Sequence, residues 1–227
     1  MLLRRPIRAC AFAFCLLLAA GAAQAAPQPF TANYSAKYKG IPASAVMTLA
    51  PRGKQWALAM NVSNLAASIS QATFFTEARG RYMPLGASDI TSYLGQRRTV
   101  PARFDWRAMQ ATWAGDAKPS RRGPVAIRVG DLDGLLLQLA LAEDVPAGRP
   151  LQYRVIENGR ARPMSFRRAG TETVTVDGRR LQATRVVSSS DGKTTTMWIA
   201  DGIPVPVRVV LSEGGSDAVS MQLTSWR

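Results

Sequence analysis

Five of the fifteen acidic residues, Asp131, Asp133, Glu143, Asp144 and Glu157, fall close together along the chain. Paired carboxylates are the groups that cleave a glycosidic bond, one as acid and one as base or nucleophile. The other covalent chemistry within reach is acyl transfer by a serine activated by a lysine. The five lysines, Lys37, Lys39, Lys54, Lys118 and Lys193, mostly stand beside Gly or Pro turn signals and read as exposed. There is no His, and the two Cys, Cys10 and Cys15, both lie near the N-terminus. A Ser-His-Asp triad is thereby excluded, and a metal site would need carboxylates and carbonyls alone. Asp131-Leu132-Asp133-Gly134 alternates acids like a calcium loop but runs into leucines where further ligands should follow. No phosphate-binding or dinucleotide-binding glycine motif and no nucleophile elbow occurs. Each acid also has a plain structural use as a helix cap, a helix end or a turn residue. The reading is a non-catalytic protein with no cofactor and no metal.

Charge supplies the next candidates. Lys and Arg outnumber Asp and Glu by 29 to 15, a net charge of +14. Adjacent arginines recur at Arg97-Arg98, Arg121-Arg122, Arg167-Arg168 and Arg179-Arg180. The guanidinium fork binds phosphate and carboxylate bidentately, so Arg97 and Arg98 are the candidates for holding an anionic head group. An Ala-, Arg- and Gly-rich composition also fits a GC-rich genome, which favours Arg over Lys without any binding role. Aromatic residues gather in the middle third: Phe74, Phe75, Tyr93, Phe104, Trp106 and Trp113. Neighbours on a strand point to opposite faces, so one of Phe74 and Phe75 must leave the core. Phe74, Phe75, Tyr93 and Trp106, with Leu136 and Leu139, are the candidates for lining an apolar groove.

The N-terminus says where such a groove would work. Arg4, Arg5 and Arg8 precede an apolar run from Ala9 to Ala20, and Ala23-Gln24-Ala25 follows. That is the pattern of a secretory signal peptide, and the run is shorter than the roughly 20 residues that span a bilayer. The expected cleavage is after Ala25, leaving a single β-rich domain over 26–227. Cys15 sits mid-run behind Phe12-Ala13-Phe14, so a lipoprotein is not expected. The leader takes three arginines and no acid with it, so the net charge falls from +14 to +11. It also takes both cysteines, so no disulfide can help stabilise the fold in an oxidising compartment. Secretion makes nucleic acid an unsuitable partner despite the basic charge.

Period-two alternation dominates the remaining sequence and predicts half-buried strands. Phe30, Ala32, Tyr34, Ala36 and Tyr38 share one face; Ala43, Ala45, Met47 and Leu49 alternate next, then Trp56, Leu58, Met60 and Val62. Pro51-Arg52-Gly53-Lys54 reads as a hairpin loop. Asn158-Gly159, Asp177-Gly178 and Asp191-Gly192 are type I′ turn dipeptides between alternating runs, and Gly214-Gly215 reads as a fourth, looser hairpin. Strands about ten residues apart predict an antiparallel meander that forms an open or closed barrel. Leu132, Leu135, Leu136, Leu139 and Ala140 instead have helical spacing, predicting one α-helix at about 131–142, capped by Asp131 and packed on the sheet. Leu137 and Leu141 make it apolar nearly all round, so it should be buried on more than one side. Residues 114–124 turn polar and read as a surface loop.

The segment Trp198-Ile-Ala-Asp-Gly-Ile-Pro-Val-Pro-Val-Arg208 resembles the "W-L-A…P-V-R" stretch of the domain of unknown function 3108 family. Phe30…Tyr34…Tyr38…Gly40, Phe104-Asp105-Trp106, Asp131–Leu141 and Gly170–Val187 fit the same family. This chain reads Asp201-Gly202-Ile203 where the family often has an extra aromatic before the proline. The resemblance covers Pro29 to Trp226 and implies a secreted, periplasmic β-rich domain of a Gram-negative bacterium. It implies no catalytic residues. By architecture alone it suggests a lipocalin-like or lipoprotein-carrier-like curved sheet around an apolar cavity.

Three functions remain. The first is a periplasmic binding protein for an apolar or lipid-like envelope ligand, with arginines at the rim and peripheral contact with an anionic membrane surface. The second is an interaction module that docks on an envelope protein complex and has no ligand cavity. The third is a carboxylate-dependent glycosidase acting on cell-wall glycan.

Overall fold

The structure, a computed structural model, describes residues 27–78 and 80–227. The signal-peptide reading and both cysteines lie outside the described residues. The strands are β1 (Phe30–Tyr38), β2 (Ile41–Arg52), β3 (Gln55–Ser63), β4 (Ala67–Ala78), β5 (Arg81–Tyr93), β6 (Gln96–Asp105), β7 (Gln110–Trp113) and β8 (Val125–Ala126). The helix α1 (Gly134–Asp144) follows, then β9 (Gln152–Glu157), β10 (Arg160–Ser165), β11 (Arg167–Val176), β12 (Arg179–Ser190), β13 (Lys193–Ala200), β14 (Arg208–Glu213) and β15 (Ser216–Trp226). Thirteen strands form one antiparallel sheet in the order β11-β12-β13-β14-β15-β1-β2-β3-β4-β5-β6-β7-β8, and β9 and β10 form a separate hairpin. The fold is the expected mainly β meander with one helix. The sheet is open, since β8 and β11 end it without pairing to each other.

Turn chemistry sets the register. Asn158-Gly159, Asp177-Gly178 and Asp191-Gly192 each adopt positive φ at both residues, the conformation that matches the twist of paired strands. Gly214-Gly215 does the same and is as tight as the others. Lys39-Gly40 and Leu94-Gly95 also use this conformation, although Lys and Leu give no sequence signal for it.

The helix begins later than its leucine spacing suggests, at Gly134. Asp131 does not cap it, because Leu132 is engaged as a strand: its N–H donates to Arg154 O at 3.1 Å, and Ile156 N–H donates to Leu132 O at 2.8 Å. Helical geometry can start only after that bridge. Asp133 is the N-cap, with Oδ1 accepting from Leu136 N–H at 2.8 Å. Asp131 is buried and paired with Arg154, and its Oδ2 accepts from Arg128 N–H at 2.8 Å.

α1 packs against β3 and β4 on one side and β13 on another. Four strands separate β13 from β3 in the sheet, so the sheet must curve around the helix. Leu135, Leu136, Leu137, Leu139 and Leu141 are all buried, and Gln138 is the one polar residue within the run. They meet a concave surface made by Ala32, Tyr34, Met47, Leu58, Met60 and Phe75 on one flank and by Val186, Met197 and Val209 on the other. Each leucine removed from water contributes about 1.5–3 kcal/mol. A second cluster, with Phe104, Trp113, Ile127 and Ile156, fastens β9 to β6, β7 and the segment after β8.

The segment from Trp198 to Arg208 joins β13 to β14 and packs into the core. Trp198 Nε1 donates to Glu172 Oε2 at 2.8 Å, and the Arg208 guanidinium lies over the indole ring at 4.6 Å. Ile203, Val205 and Val207 are buried. Tyr34 OH donates to Pro206 O at 3.0 Å, and burial raises the phenol's pKa well above its ordinary value.

Candidate functional site

The helix covers only part of the concave face. Eleven residues make about 16 Å of helix, whereas the thirteen of β5 extend for about 43 Å. Two hydrogen bonds fix where the helix lies: Asp133 accepts from Thr73 in mid-β4, and Glu143 accepts from Tyr82 at the start of β5. The stretch of β4 from Thr73 back to Ala67, about 20 Å, continues past the helix N-terminus.

Register shows what lines that stretch. Residues paired across an antiparallel ladder share a face, and so do residues two apart. Tyr34 pairs with Ala45, Ala45 with Val62, Val62 with Ile69 and Ile69 with Thr91. Tyr38 pairs with Ile41 on one side and Val219 on the other. Tyr38, Ile41, Ile69 and Tyr93 therefore lie on the same face as the buried Tyr34, Met47, Leu58 and Phe75. Yet they are 51%, 56%, 41% and 58% exposed. Ala43, Val62, Leu211 and Val219, on the same face, are half-buried. Leu65 and Leu94 stand exposed at the adjoining turns. The concave sheet thus ends in an apolar mouth that the helix leaves uncovered.

Of the sequence-derived candidates, Tyr93 and Arg98 reach this mouth. Arg98 pairs with Thr91 and so faces inward, while Arg97 points to the outer surface. Phe74 and Phe75 diverge as strand geometry requires. Phe75 is buried edge-on to Tyr82 with ring centroids 5.3 Å apart, and Phe74 lies on the outer face under the Arg52 guanidinium at 5.1 Å. Trp106 sits in the β6–β7 turn, where its Nε1 donates to Pro84 O at 2.7 Å. Leu136 and Leu139 belong to the core under the helix, and Leu139 also borders a 420 Å³ cleft at the opposite end, beside Phe30, Leu49 and Trp226. Tyr38, Ile41 and Ile69 were missed as site residues. Their alternation was legible, but where the helix would stop was not.

The acids cluster differently from their order in sequence. Asp144 is bonded to Arg149 and accepts from Tyr153 OH at 2.7 Å; Glu157 is paired with Arg162. Asp133 and Glu157 come together with Asp89 around a 240 Å³ cavity that also contains Gln71 and Gln138. Burial pushes the Asp133 carboxyl up from its ordinary 3.8 to about 6; the Leu136 N–H and the Thr73 hydroxyl oppose that rise, and the charges of Asp89 and Glu157 add to it. Among the described residues no group of three or more His, Cys, Asp or Glu is placed to hold a metal ion. No helix among them is long and apolar enough to cross a membrane.

No curated protein matches the chain. The sequence model of the family described as "Protein of unknown function (DUF3108)" matches residues 33–224, and the chain belongs to that family.

Proposed function

We propose that this protein binds an apolar or lipid-like ligand of the bacterial cell envelope without transforming it, and that it does so in the periplasm. The observation that carries this reading is the mouth: four large apolar side chains exposed on the face whose deeper part, under the helix, is core. Apolar surface left in water lowers stability, and contiguous exposed apolar side chains of this kind mark places where a ligand or partner binds. The ligand's apolar part would lie against Tyr38, Ile41, Ile69 and Tyr93, continuing the hydrophobic surface that the helix covers further in. Residues 1–25, read as a secretory leader, support the location. The acids around Asp133 do not support glycan cleavage as well, because Asp133 is committed to capping α1 and Glu157 to Arg162.

The test is native mass spectrometry of protein purified from periplasm without detergent, with organic extraction of what it carries. A reproducible apolar molecule that is lost from Ile69→Glu, with thermal unfolding unchanged, is the expected result. Protein that arrives empty and takes up no added lipid would overturn the reading. It would favour the docking module, for which the ten-residue β11, paired on one edge only among the described residues, offers a strand for a partner to extend.

A further inference from the structure

Beside the mouth, the inner face of β6 opens into a 360 Å³ cleft whose floor includes Val100, Trp113 and Ala117. Six cationic side chains surround it: Arg98 from β6, Lys118 and Arg121 from the polar loop after β7, Arg160 and Arg162 from β10, and Lys193 from the β12–β13 hairpin. The one carboxylate in the lining, Glu157, is taken by Arg162. Lys193 has Glu213 at 3.2 Å on the neighbouring strand. The other four have no carboxylate partner among the described residues. Arg98 Nε donates to Asp116 O at 3.3 Å, and Arg121 Nη1 donates to Asn158 O at 3.3 Å, both backbone carbonyls.

This convergence is built into the fold and is not a scatter of surface charge. Three of the segments that supply the cations, β6, the loop after β7 and the β9–β10 hairpin, come from separate parts of the sequence and are fastened to one another. The loop is laid along β6, with Asp116 N–H donating to Thr99 O at 2.9 Å and Thr99 N–H donating to Asp116 Oδ2 at 2.8 Å. The tip of the β9–β10 hairpin presses onto the loop so closely that a Cβ at Gly159 would stand 2.2 Å from Arg121 O. Only glycine permits that approach, and it sets Arg160 beside Arg121. Like charges held together repel unless an anion offsets them. Guanidinium and ammonium groups converging from several directions suit a compact, multiply charged oxyanion.

We infer that this cleft binds a phosphorylated, multiply charged anionic group. The site does not depend on the apolar-ligand reading, because the same cations line the cleft whether or not a chain is attached to the phosphate. The probe is inorganic pyrophosphate, titrated by calorimetry into the full mature protein at 0.15 M salt, where charges more than about 8 Å apart are largely screened. The expected result is saturable binding at one site, with citrate at matched ionic strength binding much more weakly. Arg98→Glu combined with Arg160→Glu should weaken pyrophosphate binding by about tenfold or more. Arg167→Glu combined with Arg180→Glu changes the net charge equally but lies outside the lining, and it should leave binding near wild type. Non-saturable binding, equal affinity for citrate, or equal losses in both double variants would overturn the inference and leave only diffuse electrostatic attraction. Co-sedimentation with phosphatidic-acid vesicles identifies the source. Binding that pyrophosphate displaces means a lipid head group; pyrophosphate binding without vesicle binding means a free phosphorylated ligand. Either source confirms the cleft. Pyrophosphate binding by protein that carries no lipid would separate this site from the proposed function.

Discussion

Replacing Asp133 by Asn should stabilise this protein at neutral pH and leave its stability almost unchanged in acid. Asp133 caps α1, is buried, and faces Asp89 and Glu157 across the small cavity. Desolvation, reinforced by those two charges, raises its pKa from 3.8 to about 6. A folded-state pKa above the unfolded value means that the folded protein keeps the proton longer. Between about pH 4 and pH 6 the folded state therefore binds more protons than the unfolded one, and this residue's contribution to stability falls as pH rises through that window. Above the folded pKa the loss is complete. Each tenfold change in the ionisation equilibrium is worth about 1.4 kcal/mol, so the ionised side chain costs about 3 kcal/mol at pH 7. Asn is as good an N-cap as Asp. Its Oδ1 can accept from Leu136 N–H, and its amide group faces a cavity that includes Gln138, whose buried Oε1 has no partner among the described residues. Urea unfolding of both proteins, followed by tryptophan fluorescence from pH 3.5 to 7.5, isolates the effect because titrating groups that do not interact with Asp133 cancel in the difference. The two curves should meet near pH 3.5 and separate by about 3 kcal/mol by pH 7, with the Asp133→Asn variant the more stable. Parallel curves would refute the placement of this carboxylate in a buried, acid-rich site.

Leu136 is fully buried where α1 meets the sheet. Leu136→Ala should cost about 2–5 kcal/mol by cavity formation, and Leu136→Arg should prevent folding altogether; unchanged thermal unfolding of either would remove the helix from the core. Gly159→Ala should lower the thermal midpoint, because it puts a Cβ at φ +66° and into the Arg121 carbonyl. The same change should weaken pyrophosphate binding by displacing Arg160 from Arg121, so a variant that binds normally would uncouple the hairpin from the cleft.

What the sequence disclosed, and what it hid, follows from how far apart the determining residues lie. Asn158-Gly159, Asp177-Gly178 and Asp191-Gly192 announce their hairpins because two adjacent residues contain the whole cause, the tolerance of positive φ. Lys39-Gly40 and Leu94-Gly95 adopt the same geometry under pressure from the strands they join, so their residue types give little sign of it. The helix was legible from its leucine spacing. Its start was not, because the competing bridge from Leu132 to Val155 comes from a strand more than twenty residues away. The mouth lay deeper still. Alternation put Tyr38 on the face of Phe30 and Tyr34, but its exposure depends on where Thr73 and Tyr82 hold the ends of α1. The basic cleft is hidden for the same reason: Arg98, Arg121, Arg160 and Lys193 meet only after three separate connections have folded.

The family's recognisable residues therefore need not be those that bind. Trp198 is bonded to Glu172 and stacked by Arg208, Pro206 receives the Tyr34 hydroxyl, and Val205 and Val207 are fully buried. In Phe104-Asp105-Trp106, the carboxylate closes a turn by accepting from the backbone N–H groups of Ala108 and Arg107, which holds its pKa below the ordinary range, and the indole anchors to Pro84 O. These positions demand one residue type because each satisfies a defined polar group or a tight bend. The mouth demands only that side chains be apolar and uncovered, and the cleft only that cations converge. Many sequences meet those conditions, so a motif will seldom record them. On the proposed function, ligand choice should accordingly be sought at Ile69, Tyr93, Arg98 and Arg160, where substitution alters what the surface attracts while the bonds that hold the sheet stay intact.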